Sequence, residues 1–161
     1  MGSWYERDGA IGAVPTEYLG WQMRSRLEAR TAVALDGMGL DWRYEPQHNW
    51  PGLRYAPDFG VWLDADTPVW WEVKPAEYPR DTYRPWVNMA RQSGLPVIVT
   101  YGVGAWQAVD PFNWTEGMPF MKVIGATADS VQVIRRVLGT EKAARSWELA
   151  RNARFEEALA A

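Results

Sequence analysis

The sequence predicts an α/β fold, and three observations carry that expectation. A helical run lies near the N-terminus, and strand-like runs rich in aromatic and β-branched residues fill the middle. A further helix then leads into an apolar strand, as in a βαβ crossover. At 161 residues the chain can bury one core and reads as a single domain over 1–161. Hydrophobic residues make up 47% and charged residues 23%, the balance of a soluble globular chain. No apolar run is long enough to span a bilayer, and no signal-peptide pattern opens the sequence.

Residues 1–16, with Gly9, Gly12 and Pro15, read as an N-terminal arm. Glu17 to Met38 is rich in Ala, Leu, Arg and Met and predicts a helix closed by Gly37 or Gly39. Glu28, Ala32 and Leu35 fall on one face of it, with Arg24, Arg26 and Arg30 around them. A carboxylate on an inward face needs a partner, and an ion pair with one of those arginines is the simplest. Asp41 to Pro46 alternates aromatic and polar residues and predicts a short strand that Pro46 ends. Gln47 to Gly52 reads as a loop, and its His48 has no assigned role. Leu53 to Phe59 is a second predicted strand, with Pro57 marking an edge or bulge just before Asp58.

Asp64 to Pro68 turns the chain into a third strand, Val69 to Lys74. Alternation sets Val69, Trp71 and Val73 on one face and Trp70, Glu72 and Lys74 on the other. Asp81 to Ser93 reads as a helix stopped by Gly94 and Pro96, and Val97 to Tyr101 as the buried strand after it. Gly102-Val103-Gly104 lacks the third glycine and the Lys-Ser/Thr pair of a phosphate loop and is assigned to a turn. Residues 105–120 read as an extended loop or hairpin, with one more strand near Phe120 to Ile124. Ala128 to Leu138 and Glu141 to Ala160 predict two closing helices, the second within a C-terminal segment over 141–161.

Composition narrows the chemistry. The absence of cysteine excludes disulfides, zinc ribbons and thiol nucleophiles. One histidine excludes His-rich metal sites and weakens Ser-His-Asp catalysis. A net charge of −3 argues against duplex binding by bulk electrostatics, yet local basic patches can still guide a nucleic-acid backbone. The eleven tryptophans sit mostly in apolar, strand-like runs and read as core and interface filling. Any catalysis must therefore rest on carboxylates, lysine and a hard metal.

Glu28, Asp58, Glu72 and Lys74 supply that set. Phosphodiester hydrolysis needs a nucleophilic hydroxide, charge stabilisation at phosphorus and help for the leaving oxygen, all of which Mg²⁺ can supply. The ion takes oxygen ligands and keeps several waters, so two carboxylates suffice. Asp58 and Glu72 are the expected direct ligands, with the Val73 carbonyl as a third. Lys74 would orient or deprotonate the attacking water, or stabilise transition-state charge. Glu28 would complete the site from the helix, on a second metal directly or through water.

Pro57-Asp58, thirteen intervening residues and Glu72-Val73-Lys74 resemble the signature of the PD-(D/E)xK nuclease superfamily. The helical Glu28 within Arg24-Ser25-Arg26-Leu27-Glu28-Ala29-Arg30 fits that pattern, as does Tyr44-Glu45-Pro46 ahead of the Pro-Asp strand. The run from Met23 to Pro75 is most similar to endonuclease subunits of heteromeric transposases and to small phage-encoded relatives, and the segment Ala150 to Glu156 resembles the tail of the phage proteins. The resemblance implies a restriction-endonuclease-like core, a central mixed sheet of about four strands flanked by helices. It implies a metal-dependent DNA endonuclease using Mg²⁺, with Mn²⁺ able to substitute. Catalysis would fall to Glu28, Asp58, Glu72 and Lys74, with Asp58, Glu72, Val73 and Glu28 holding metal. Arg24, Arg26 and Arg30 are placed near the DNA backbone, with Arg151 and Arg154 as weaker candidates. A homodimer or larger nucleoprotein complex, no membrane, and the cytoplasm of a bacterium or phage-infected cell complete the expectation. Two other readings use the same residues: an inactive nuclease-fold module for DNA binding or assembly, which would not bind Mn²⁺, and a tryptophan-rich carbohydrate binder, whose fluorescence sugars would quench.

Overall fold

The structure, a computed structural model, describes residues 13–46, 56–109, 123–124 and 128–155. Leu19 and Gly20 both take left-handed backbone, with φ of 47° and 81°, and that two-residue turn replaces the first part of the predicted helix. Strands β1 (Thr16–Tyr18) and β2 (Trp21–Met23) pair antiparallel across it. Helix α1 then spans only Arg26–Gly37. Its start is chemically marked: the Ser25 hydroxyl accepts from the Glu28 N–H at 3.1 Å, and the Ser25 N–H donates to Glu28 Oε2 at 3.0 Å. This reciprocal cap satisfies two donors that an uncapped helix end would leave open.

Six strands form one mixed sheet among the described residues, in spatial order β3-β4-β5-β6-β7-β8. They are β3 (Asp41–Tyr44), β4 (Phe59–Trp62), β5 (Pro68–Lys74), β6 (Val97–Tyr101), β7 (Ala105–Val109) and β8 (Val123–Ile124). The first three meander antiparallel, β5 and β6 run parallel, β6 and β7 form a hairpin, and β7 and β8 run parallel. Helix α2 (Arg84–Ser93) makes the crossover between β5 and β6. Helices α3 (Ala128–Leu138) and α4 (Glu141–Asn152) follow the sheet. The α/β class agrees with the expectation; the sheet is wider than the four or so strands implied, because the chain after β6 adds a hairpin partner and a further parallel strand.

Both faces of the sheet are covered, which is why β5 reads as a nearly continuous hydrophobic run. On one face Val69, Trp71 and Val73 pack in a core with Ala29, Ala32 and Leu35 of α1 and Trp147 of α4. On the other, Trp70 joins Val97, Val99 and Tyr101 of β6 against Trp86, Val87 and Ala90 of α2. Period-2 alternation then puts Glu72 and Lys74 on the α2 side.

Besides the start of α1, other element boundaries differ from the sequence reading. The strand expected over Leu53–Phe59 instead begins at Phe59, since Pro57 has no N–H to offer a ladder; Leu53 to Tyr55 lie outside the described residues. Helix α2 begins at Arg84 rather than Asp81, with Pro85 in its first turn. Helix α4 ends at Asn152, where Ala153 turns extended at φ −62° and ψ 138°. His48, most of the predicted arm, residues 110–122 and the chain beyond Phe155 lie outside the described residues. No helix among the described residues is long and apolar enough to cross a membrane.

Candidate active site

Strands β4 and β5 are antiparallel neighbours, so the start of one and the end of the other lie at the same end of the sheet. That end holds Asp58, Glu72 and Lys74, all buried. Phe59 pairs with Trp71, and continuing that register would set Pro57 opposite Val73. Proline cannot supply the next rung. The Asp58 side chain takes over instead, its Oδ2 accepting from the Val73 N–H at 2.8 Å. In a strand the N–H and C=O of one residue point the same way, so the Val73 carbonyl faces the Asp58 side as well.

Glu72 is 0% exposed, and neither of its carboxylate oxygens has a hydrogen-bond partner. Such a group is costly in a protein interior. Burial, followed by the negative charge of Asp58, pushes its carboxyl well above the ordinary value, and Lys74 works in the opposite direction. Burial raises Asp58 too, against the Val73 N–H, Lys74 and Arg24. Lys74 shares the Glu72 face and is held under aromatic rings, its Nζ 5.2 Å from the centroid of Tyr78 and 5.4 Å from that of Trp86.

Glu28 reaches the cluster from α1. Its Oε2 closes the helix cap and also accepts from the Tyr44 hydroxyl at 3.1 Å, while Oε1 lies 3.6 Å from Arg24 Nη2. Burial and then the charge of Asp58 raise its carboxyl to about 7, although Arg24, Tyr44 and Ser25 favour the charged form. The ion pair with a neighbouring arginine that the helix face suggested is therefore present. Arg24 lies just outside the helix and joins three carboxylates: Nη2 is 3.0 Å from Asp58 Oδ1, and Nε is 2.7 Å from Glu45 Oε1. Arg26 and Arg30 are half-buried on α1. Arg151 donates to the Val103 carbonyl at 3.2 Å, and Arg154 is exposed.

The structure thus brings Glu28, Asp58, Glu72, Val73 and Lys74 to one end of the sheet, with Arg24 beside them. Among the described residues, no three Asp, Glu or His side chains gather closely enough to hold an ion together. The donors available at one place are Asp58, Glu72 and the Val73 carbonyl, with Glu28 linked to them through Arg24. An unpartnered, fully buried carboxylate beside a second one fits a hard divalent cation. Sequence reasoning gave no role to Tyr44, Glu45 or Ser25. The Ser25-x-x-Glu28 spacing signals the cap, and Tyr44-Glu45 stood out only as part of a motif. Nothing in the sequence indicated that Tyr78 and Trp86 enclose Lys74.

No family model matches the chain, and no curated protein matches it. Among solved structures, the chain is similar to Hjc, a Holliday junction resolvase from Archaeoglobus fulgidus, at 21% identity and a TM-score of 0.36. The match covers 56% of this chain and 81% of that one.

Proposed function

We propose that this chain is a divalent-metal-dependent nuclease of the PD-(D/E)xK kind, hydrolysing phosphodiester bonds in DNA as an endonuclease. The observation that carries the reading is the Glu72 carboxylate of β5, fully buried and without a hydrogen-bond partner, opposite Asp58 at the start of β4. A fold keeps such a group when a cation completes it. Asp58, Glu72 and the Val73 carbonyl are hard oxygen donors suited to Mg²⁺, with Mn²⁺ able to substitute. The ion, when bound, supplies Lewis acidity and acidifies a water.

The chain's own residues do the rest. Asp58 is fixed by the Val73 N–H, so one of its oxygens is oriented before any ligand arrives. Lys74, steadied by Tyr78 and Trp86, either orients the attacking water or stabilises charge on a phosphate oxygen. Glu28, already satisfied by Ser25 and Tyr44, acts from α1 through water and by holding Arg24 in place. Arg26 and Arg30 stand on the same helix, toward the entering backbone in this reading. The sequence resemblance supports a phage or mobile-element setting in a bacterial cytoplasm, with a homodimer or nucleoprotein complex supplying targeting.

The test is Mg²⁺- or Mn²⁺-dependent cleavage of supercoiled, linear and branched DNA by the purified chain. Nicking that Asp58→Ala abolishes is the expected result. A protein inert on every substrate, or an Asp58→Ala variant that cuts as well as wild type, overturns the assignment.

A further inference from the structure

Asp58 has two carboxylate oxygens, and they are not equivalent. Oδ2 is committed to the Val73 N–H at 2.8 Å. Oδ1 is held by Arg24 Nη2 at 3.0 Å. A divalent ion binding Asp58 therefore meets a guanidinium already resting on the oxygen it would use. Two positive charges on one oxygen repel at short range, all the more where the surroundings exclude water. The Arg24 side chain is 63% exposed, so leaving the cluster does not require the core to open.

The same guanidinium has a second partner of a different kind. Its Nε lies 2.7 Å from Oε1 of Glu45, whose side chain is 43% exposed, against 9% for Asp58. Because different nitrogens serve the two carboxylates, Arg24 can release Asp58 while keeping Glu45. Glu45 is also unusual in its backbone: it is a non-glycine residue at φ 43°, in the sparsely populated left-handed region. Its N–H donates to the Asp58 carbonyl at 2.7 Å, which ties this strained residue to the strand start carrying Asp58. The strain sets a partly exposed carboxylate beside the arginine and next to the buried cluster.

We infer that Arg24 is the resident cation on Asp58 Oδ1, that it competes with the divalent ion for that oxygen, and that Glu45 is the carboxylate to which it withdraws when the ion enters. This rests on the metal-site reading above and adds an exchange to it. Arg24 compensates Asp58 and Glu28 in the metal-free protein. After the exchange its free Nη edge stands at the rim of the site, suited to a phosphate oxygen. It acts on metal loading as a positioning residue, and Glu45 acts through it.

The experiment is titration of the metal-free protein with Mn²⁺ alone, by calorimetry and by loss of the free-ion electron paramagnetic resonance signal. Wild type, Arg24→Gln and Glu45→Gln are compared, with thermal melting of each metal-free form. Arg24→Gln is expected to bind Mn²⁺ more tightly, by about three- to tenfold, the size of one modest ion pair, and to melt lower without metal. Glu45→Gln, which removes the second partner and leaves Arg24 to Asp58, is expected to bind Mn²⁺ more weakly. Opposite signs from two neighbouring neutral substitutions are what a competitor and its acceptor produce; damage to a merely structural pair would weaken both. Wild-type binding that Arg24→Gln leaves equal or weaker overturns the exchange while keeping the metal site. If Arg24→Gln does not fold, Glu45→Gln binding Mn²⁺ as tightly as wild type overturns it. Absence of Mn²⁺ binding by both wild type and Arg24→Gln overturns the metal-site reading, and the exchange with it.

Discussion

Glu72→Gln separates the fold's interest from the site's. The carboxylate is fully buried, neither oxygen has a hydrogen-bond donor, and burial, then Asp58, raises it well above 4.5. An unfolded chain gives up this proton near 4.5, whereas the folded chain holds it to higher pH. Stability from this group is therefore complete below 4.5 and is lost as pH rises through the folded value. Each pH unit in which only the folded state keeps the proton costs about 1.4 kcal/mol, so the ceiling at pH 7 is about 3.5 kcal/mol. Glutamine has the same shape and never charges. Its buried amide would still lack partners, which returns about 1 kcal/mol of that gain. The metal-free variant should be more stable than wild type at pH 7, by no more than about 2.5 kcal/mol, with a correspondingly higher Tm. The difference should shrink as pH falls and reverse by about 1 kcal/mol near pH 4.5, where only the cost of the buried amide remains. Mn²⁺ should raise the Tm of wild type and leave the variant where it was, because stabilisation by a ligand requires a site for it. Thermal melting across pH, with and without Mn²⁺, reads all of this. A variant that is no more stable at pH 7, or one still stabilised by Mn²⁺, would refute the account of Glu72 as a metal ligand buried at a cost to the fold.

Other substitutions follow from the same contacts. Tyr44→Phe removes the hydroxyl that accepts from the Arg24 N–H at 3.0 Å and donates to Glu28 at 3.1 Å, so urea unfolding should lose about 1–2 kcal/mol at unchanged m. Lys74→Met leaves an apolar chain under Tyr78 and Trp86, so melting and Mn²⁺ binding should persist while cleavage falls by roughly a hundredfold or more. Gly102→Ala forces an alanine to φ 64° with its Cβ 3.0 Å from that of Ala76, and Gly102 also donates to the Lys74 carbonyl at 2.8 Å. That change should cost about 1–3 kcal/mol in chemical denaturation and lower cleavage by displacing the end of β5.

How much of this was legible depends on whether local pattern or distant packing decides each feature. The phase of β5 was legible because period-2 alternation is a property of the strand itself, and Trp70 and Trp71 fall on opposite faces as expected. The crossover from β5 through α2 to β6 was legible from an apolar strand following a helix with a clear glycine stop. The start of α1 was not. Alanine and leucine propensity over Glu17–Met38 outweighed a Ser25-x-x-Glu28 cap, and the hairpin turn places a leucine at positive φ, where local preference argues against it. That error mattered for function. With the helix beginning at Arg26, Arg24 leaves the helical surface and turns into the carboxylate cluster. Glu28 is a capping residue as well as a carboxylate of the candidate site. Enclosure of Lys74 by Tyr78 and Trp86 depends on how α2 folds back across the sheet, which no local pattern encodes.

The proline of the Pro57-Asp58 pair accounts physically for much of the site. An antiparallel ladder continued by one rung would exchange both backbone hydrogen bonds between residues 57 and 73, using every polar group at that point. Proline has no N–H, so the rung cannot close. Val73 keeps an N–H and a carbonyl directed at the gap, and the first is taken by Asp58 Oδ2. One missing backbone donor thus fixes the rotamer of Asp58 and leaves the neighbouring carbonyl without its ladder partner. Register sets Glu72 opposite Asp58, on the central strand of a sheet covered on both faces, where water does not solvate it. The sheet forgoes one rung and a buried carboxylate stays without a hydrogen-bond partner, and both defects lie within one residue of each other. Stability alone would favour closing the ladder and replacing Glu72 with an apolar side chain. Both defects at one end of the paired strands, with a lysine on one side and an arginine on the other, are what the proposed cation site would need.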